Sequence, residues 1–416
     1  MPHCEKRHKI QQKVSDKMSN DNQQANIESD TPLTPQPQAS EEPAIAAPRR
    51  DVKNGLATKR WVYMDVCKIV AFVFIVFTNI VAGVWGSVEI GSTAWKVLNI
   101  YNGLSRFSVP LFFLILGALL LNPLKELSTK EIYLKYLVPV LTSFLFWSSA
   151  YVLFTYAIYS PEMFTNFNVH EFITTVLAGD PYRHWFVFLI VQLYLVLPIL
   201  RAIAKSMDAC KCFLVLWIIF SLFITTLNRL PAVIALPDAA SAIIFEALGV
   251  LSRIRPLMVL DYMGYAVLGY YLCTRTITKK TGVFAIITFI ASTAYTILMT
   301  NYMTVKMWAP DQTFFENVSF NTCITAASFM VIMKAFGENV WYKNRTYNII
   351  LFFSTGAFGI FMTHAFVLRL LTVLNLDGLT FGPVLSAPLL CVAVTLVSLA
   401  VSFIIKKIPK LGDYLV

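Results

Sequence analysis

Charge is scarce in this sequence. Of its 416 residues only 14% are charged while 57% are hydrophobic, and the mean hydropathy is +0.63. A soluble domain carries about 25% charged residues, so this composition excludes an ordinary soluble enzyme and points to a chain that crosses the membrane many times. Close-set metal ligands are missing as well. Of seven cysteines only Cys210 and Cys212 lie near one another, with no histidine beside them, which leaves neither a zinc site nor a disulfide framework and predicts no metal. There is no Walker loop, dinucleotide fingerprint, metalloprotease helix or G-x-S-x-G elbow, and no fixed-period repeat. No short apolar segment with a cleavage site opens the chain, so no cleavable signal peptide is expected.

What is present falls into two regions. Residues 1–60 are rich in Gln, Asn, Ser, Pro and Glu ("TPLTPQPQASEEPAIAAP") and are expected to form a disordered cytoplasmic tail, because such a composition cannot bury enough apolar area to fold. Apolar runs of spanning length follow at about 62–85, 100–121, 133–159, 184–204, 211–228, 255–274, 282–300, 316–336, 346–371 and 383–405. A helix needs roughly 20 residues to cross the hydrocarbon. The fold class read from the pattern is therefore all-α, a polytopic membrane helix bundle of about ten transmembrane helices. The expected division is tail 1–60, transmembrane domain 61–410 and a short C-terminal tail 411–416.

The net charge of +10 raises the possibility of nucleic acid as a partner, but its distribution argues against that. Basic residues concentrate in alternate connections. Those on the tail's side carry 17, from Lys59 and Arg60 through Arg201, Lys205, Lys211, Lys279, Lys280 and Lys334 to Lys406, Lys407 and Lys410. The opposite connections carry six: Lys96, Arg183, Arg229, Arg253, Arg255 and Lys306. By the positive-inside rule both termini are cytoplasmic. Two opposite-side stretches, "HEFITTVLAG" and "AASAIIFEALGVL", are apolar but too short to span, and are expected to lie at the interface or re-enter the bilayer.

Polar side chains inside the spans then acquire meaning. Ionisable groups at membrane depth are costly and face a bundle interior or a water-filled cavity. Arg106 opens the run "SRFSVPLFFLILG" and is placed near the outer end of the second helix; Arg183 and His184 start the fourth, Asp261 lies in the sixth, His364 in the ninth and Asn79 in the first. All are expected at a similar depth in the outer half. A second group, Asp65 and Lys68, is spaced i,i+3 on one face at the inner end of the first helix. It reads either as an ion pair or as a place where Lys68 holds an anionic cofactor.

Several of these segments resemble the acyltransferase 3 family of integral-membrane O-acyltransferases. "LNIYNGLSRFSVPLFFLILGALLL" is similar to the family's arginine-then-"VPLFF" second helix, "RHWFVFLIVQLYLVLPIL" to its tryptophan-aromatic fourth helix, and "GAFGIFMTHAFVLRLL" to a late helix with a histidine after an aromatic run; "YMDVCKIVAFVFIVFTN" fits the first helix by spacing. The resemblance covers residues 61–410. It implies transfer of an acyl group from cytoplasmic acyl-CoA, acetyl-CoA foremost, to a hydroxyl of an envelope glycan or lipid-linked saccharide, in the bacterial inner membrane. It also implies a histidine of the first helix as general base or proton shuttle.

The sequence departs from that pattern at chemically telling places. Asn79 stands where the first-helix histidine would be, Lys68 replaces an arginine eleven residues earlier, and Leu116 replaces a small serine before Gly117. Arg183 takes the place of a histidine two positions before Trp185, with His184 shifted by one. His364 is retained. Residue placement and the resemblance together assign catalysis to His364, Arg106, His184 and Asn79, the cofactor to Lys68, and substrate contacts to Arg183, Trp185 and Asp261. They leave open a transporter or flippase, or a non-catalytic partner subunit, on the same scaffold.

Overall fold

The computed structural model describes residues 61–415 except 124, 179–184, 228–241, 244–245, 247–248, 250–256, 341 and 410–411; the tail 1–60, Arg183, His184 and most of "AASAIIFEALGVL" lie outside the described residues. Every regular element among them is helical. The long ones are α1 (Val62–Trp85), a broken pair α2 (Thr93–Ser105) and α3 (Ser108–Leu120), α4 (Thr129–Tyr159), the short α5 (Val169–Ala178), α6 (Trp185–Ile203), α7 (Met207–Leu227), α8 (Leu257–Thr274), α9 (Lys279–Met307), α10 (Phe320–Gly337), α11 (Asn344–Val373) and α12 (Ser386–Lys406). A last turn, Gly412–Leu415, closes back on α4, where Ser143 Oγ and Trp147 Nε1 donate to the Leu415 carbonyl at 2.8 and 3.1 Å.

Among the described residues nine segments are long and apolar enough to cross a membrane, with α2 and α3 counted as one. The tenth expected span is the helix α8, which falls outside that nine. Asp261 and the tyrosines Tyr262, Tyr265, Tyr270 and Tyr271 lower its hydropathy, and much of it is buried in the bundle, away from lipid. The surrounding helices show the opposite arrangement. Only 22% of the apolar stretch of α9 is buried, and Phe284, Ile287, Ile290 and Leu298 point outward, as a lipid-facing helix requires. On α5 the exposed Val169, Ile173 and Leu177 form a stripe at i, i+4, i+8 that suits the membrane surface.

The most enclosed segment is α2–α3, 78% buried over its apolar stretch. It extends further than its apolar run suggested, beginning at Thr93, so Arg106 sits near the middle of 28 residues and roughly 20 Å of rise from its start, not near an end. The helix breaks there for a chemical reason. Pro110 has no N–H, so the Arg106 carbonyl loses its i+4 donor, and regular bonding resumes with Leu111 N to Phe107 O at 2.9 Å. The hydroxyl of Thr78 on α1 stands 3.4 Å from the Ser105 carbonyl at the break.

Behind the break, α3 is clamped to α8. A Cβ on Gly117 would lie 1.8 Å from the Ala266 carbonyl oxygen, and one on Gly269 would lie 1.9 Å from that of Leu114. Two glycines therefore let two backbones touch, the close approach that small residues provide in membrane bundles. Gly117→Ala is expected to force α3 and α8 apart, because the clash is with backbone, at a cost of about 1–3 kcal/mol or more. A lowered unfolding midpoint in detergent would register this; an unchanged midpoint would show that the helices have room to spare.

Two basic residues assigned to the tail's side by sequence act as helix caps. The Arg201 guanidinium donates to the carbonyls of Leu120 and Lys125, at the end of α3. Lys334, 5% exposed, donates to the carbonyls of Cys273 and Arg275 at 2.7 and 2.5 Å, at the end of α8. Cations at these C-termini satisfy carbonyls that the helices leave open and oppose their dipoles.

Candidate functional site

A cavity of about 960 Å³ lies among α1, α3, α4 and α11, towards the ends at which α1, α4 and α11 finish. Its floor is Arg106 and Ser108 at the helix break. Asn79, six residues before the end of α1, forms one wall; the 312–317 connection between α9 and α10 supplies Gln312, Glu316 and Asn317; and Arg369 closes the α11 side.

Arg106 is held by its ring partner. Its guanidinium carbon stands 4.5 Å from the centroid of Phe315, a cation–π contact, while its Nε is buried with no hydrogen-bond partner. Arg369 is built the same way: its guanidinium carbon is 4.3 Å from the Tyr159 ring centroid and its Nε is also buried and unpartnered. The two arginines thus face one cavity from different helices, each stacked on an aromatic face with donor capacity left over.

His364 lies directly behind the wall. It is 1% exposed, and its Nε2 is 3.4 Å from Asn79 Nδ2. The other ring nitrogen, Nδ1, meets the carbonyl of Phe361 one turn earlier on α11. A carbonyl only accepts, so Nδ1 carries the proton and Nε2 of the neutral ring is the lone-pair nitrogen. The Asn79 amide nitrogen also donates to the Ile75 carbonyl at 3.0 Å, which fixes its amide end towards both acceptors. The ring is thereby held in one tautomer, with its basic nitrogen aimed through Asn79 at the cavity.

The other residues singled out by sequence fall elsewhere. Lys68 Nζ donates to the Ser354 carbonyl at 2.8 Å and the Ser354 hydroxyl donates to Asp65 at 2.5 Å, so both acidic and basic members of that pair are tied to α11 through one serine. Lys68 does not line the cavity. Asp261 is also absent from the lining; its carbonyl accepts from Trp217 Nε1 at 2.7 Å, and the neighbouring Tyr262, turned about 100° around the helix, faces the cavity instead. Arg183 and His184 are among the undescribed residues, as is the side chain of Trp185, whose backbone opens α6.

Sequence reasoning missed Arg369, Tyr262 and the 312–317 connection. Arg369 carried the same signal as Arg106, a lone arginine inside an apolar run. The connection carried none, since Gln312, Glu316 and Asn317 look like an ordinary polar loop until α9 and α10 fold it over the cavity. The family model described as "Acyltransferase domain" matches residues 61–406. No curated protein and no solved structure matches the chain.

Proposed function

The chain belongs to the acyltransferase 3 family, and on that premise we propose that this multi-pass membrane acyltransferase moves a short acyl group from cytoplasmic acyl-CoA to a hydroxyl of an envelope glycan or lipid-linked saccharide. The bacterial inner membrane is the site that such substrates require. With both termini in the cytoplasm, the cavity opens on the outer side and its floor approaches the donor. One observation carries this reading: a cavity among membrane-length helices places an arginine in its floor and a tautomer-locked histidine behind one asparagine of its wall.

In the proposed reaction the acceptor hydroxyl gives its proton to His364 Nε2 as its oxygen attacks the thioester carbonyl. The negative charge that develops on the carbonyl oxygen is met by the Arg106 guanidinium, whose cost of burial has already been met by folding. Collapse of the tetrahedral adduct breaks the C–S bond. The thiolate leaves as the free thiol by taking the proton back from His364, so the products are an ester and CoA. Asn79 cannot itself accept that proton, and its amide must turn aside for the hydroxyl to reach Nε2.

That same covering amide favours a second reading, translocation without chemistry, in which Asn79 and His364 are simply a hydrogen-bonded wall. The two separate on one assay. Protein purified in detergent or liposomes and supplied with several acyl-CoAs and saccharide acceptors is expected to release free CoA. Release of none, with saccharide still moved across the liposome, would replace the transferase by the transporter.

A further inference from the structure

The α4 and α11 side of the cavity holds polar groups that the acyl-transfer step does not use. On α4, Ser148, Tyr151 and Thr155 fall at i, i+3 and i+7 and all face the cavity. Ser148 is 1% exposed and Thr155 half-buried, yet the hydroxyls of both are buried without a hydrogen-bond partner. Across from them α11 brings Arg369, four residues before its end, stacked on Tyr159, the last residue of α4. Among the described residues Arg369 forms no ion pair.

These observations point in one direction. A buried hydroxyl without a partner forfeits hydrogen bonding that water or a ligand would supply, and so does a buried guanidinium N–H without one. Arg369 still has donors to offer, and a guanidinium can give two of them together to one carboxylate or phosphate. Ser148 and Thr155 add neutral donors and acceptors along one stripe, and Tyr151, Tyr156 and Phe186 add aromatic faces. Hydroxyls, rings and a single guanidinium suit a saccharide that carries one anionic group.

We propose that the α4–α11 half of the cavity is a subsite for an anionic saccharide, with Arg369 pairing to its carboxylate or phosphate and Ser148 and Thr155 bonding its hydroxyls. The ends of α4 and α11 that form it lie opposite the basic caps of Arg201 and Lys334, on the side from which an acceptor approaches. Assigning the subsite to the acceptor rests on the acyl-transfer reading; the binding itself does not.

The test is binding to the full chain in detergent micelles by titration calorimetry, with glucuronate, glucose 1-phosphate and glucose as probes. The parent should bind the two anionic sugars about tenfold or more tighter than glucose, and Arg369→Gln should bring them down to the level of glucose. Arg369→Lys should keep part of the preference, and Ser148→Ala should weaken all three sugars alike; these two carry the test if Arg369→Gln does not fold. Equal binding of all three sugars by the parent, binding of none, or an unchanged preference in Arg369→Gln would overturn the proposal. With acetyl-CoA titrated as a fourth probe, a loss in Arg369→Gln that falls on acetyl-CoA alone would overturn it too, since the anion would then be a donor phosphate. A parent that prefers glucuronate through Arg369 but releases no CoA would refute acyl transfer and leave this subsite standing.

Discussion

Replacing His364 by glutamine is expected to lower acyl transfer by about 10²–10⁴-fold, the range that a lost general acid–base group commands. Glutamine keeps a polar side chain of similar reach and can still bond Asn79, but it does not titrate. A fall in turnover with an unchanged unfolding midpoint therefore reports lost proton transfer, not lost packing. The basis is geometric: Nδ1 is committed to the Phe361 carbonyl, which leaves Nε2 as the only site on that ring where a proton can be taken, and Nε2 faces Asn79 and the cavity beyond. Asn79→Ala should preserve or raise the rate, because it removes the amide that stands in the path. Full turnover in His364→Gln would remove His364 as the base and pass the role to His184 or to a group on the acceptor.

Much of the fold was legible because its signals are one-dimensional. Apolar runs of spanning length mark the helices whatever their neighbours are, and nine of the ten appear as such among the described residues. The exception, α8, was read correctly as a helix; tyrosines and glycines bury it against α3, where lipid-facing hydropathy is not needed. The site was legible only in part. Asn79, Arg106 and His364 stood out as polar residues in apolar surroundings; Asn79 and Arg106 line one cavity and His364 lies behind Asn79. Asp261 stood out equally and is not in the lining, because sequence gives the depth of a residue better than its direction around the helix. Lys68 was legible as an i,i+3 neighbour of Asp65, but the Ser354 carbonyl that it meets lies 286 residues away and no local spacing reveals it. The 312–317 connection was invisible for the same reason.

Arg106 should be intolerant of lysine as well as alanine. The residue lies in the most enclosed segment of the bundle, at a break that Pro110 enforces, so its backbone position does not depend on its own side chain. That separates function from folding better here than at a mid-helix charge. What the side chain adds is a planar cation 4.5 Å from the Phe315 ring centroid, with a buried Nε that has no hydrogen-bond partner. Lysine keeps the charge but is a strongly hydrated point donor that neither stacks flat on the ring nor offers two parallel N–H groups. Arg106→Ala is expected to lower kcat/KM by about 10²–10³, as loss of an oxyanion-stabilising donor does, and Arg106→Lys by at least tenfold. The loss should fall on kcat more than on the KM for acyl-CoA, because the charge that Arg106 meets exists only in the transition state. A variant that loses affinity for acyl-CoA at unchanged kcat would instead make Arg106 a donor-binding residue. Full activity of both variants at normal protein levels would leave the arginine as a stacking partner of Phe315 and nothing more.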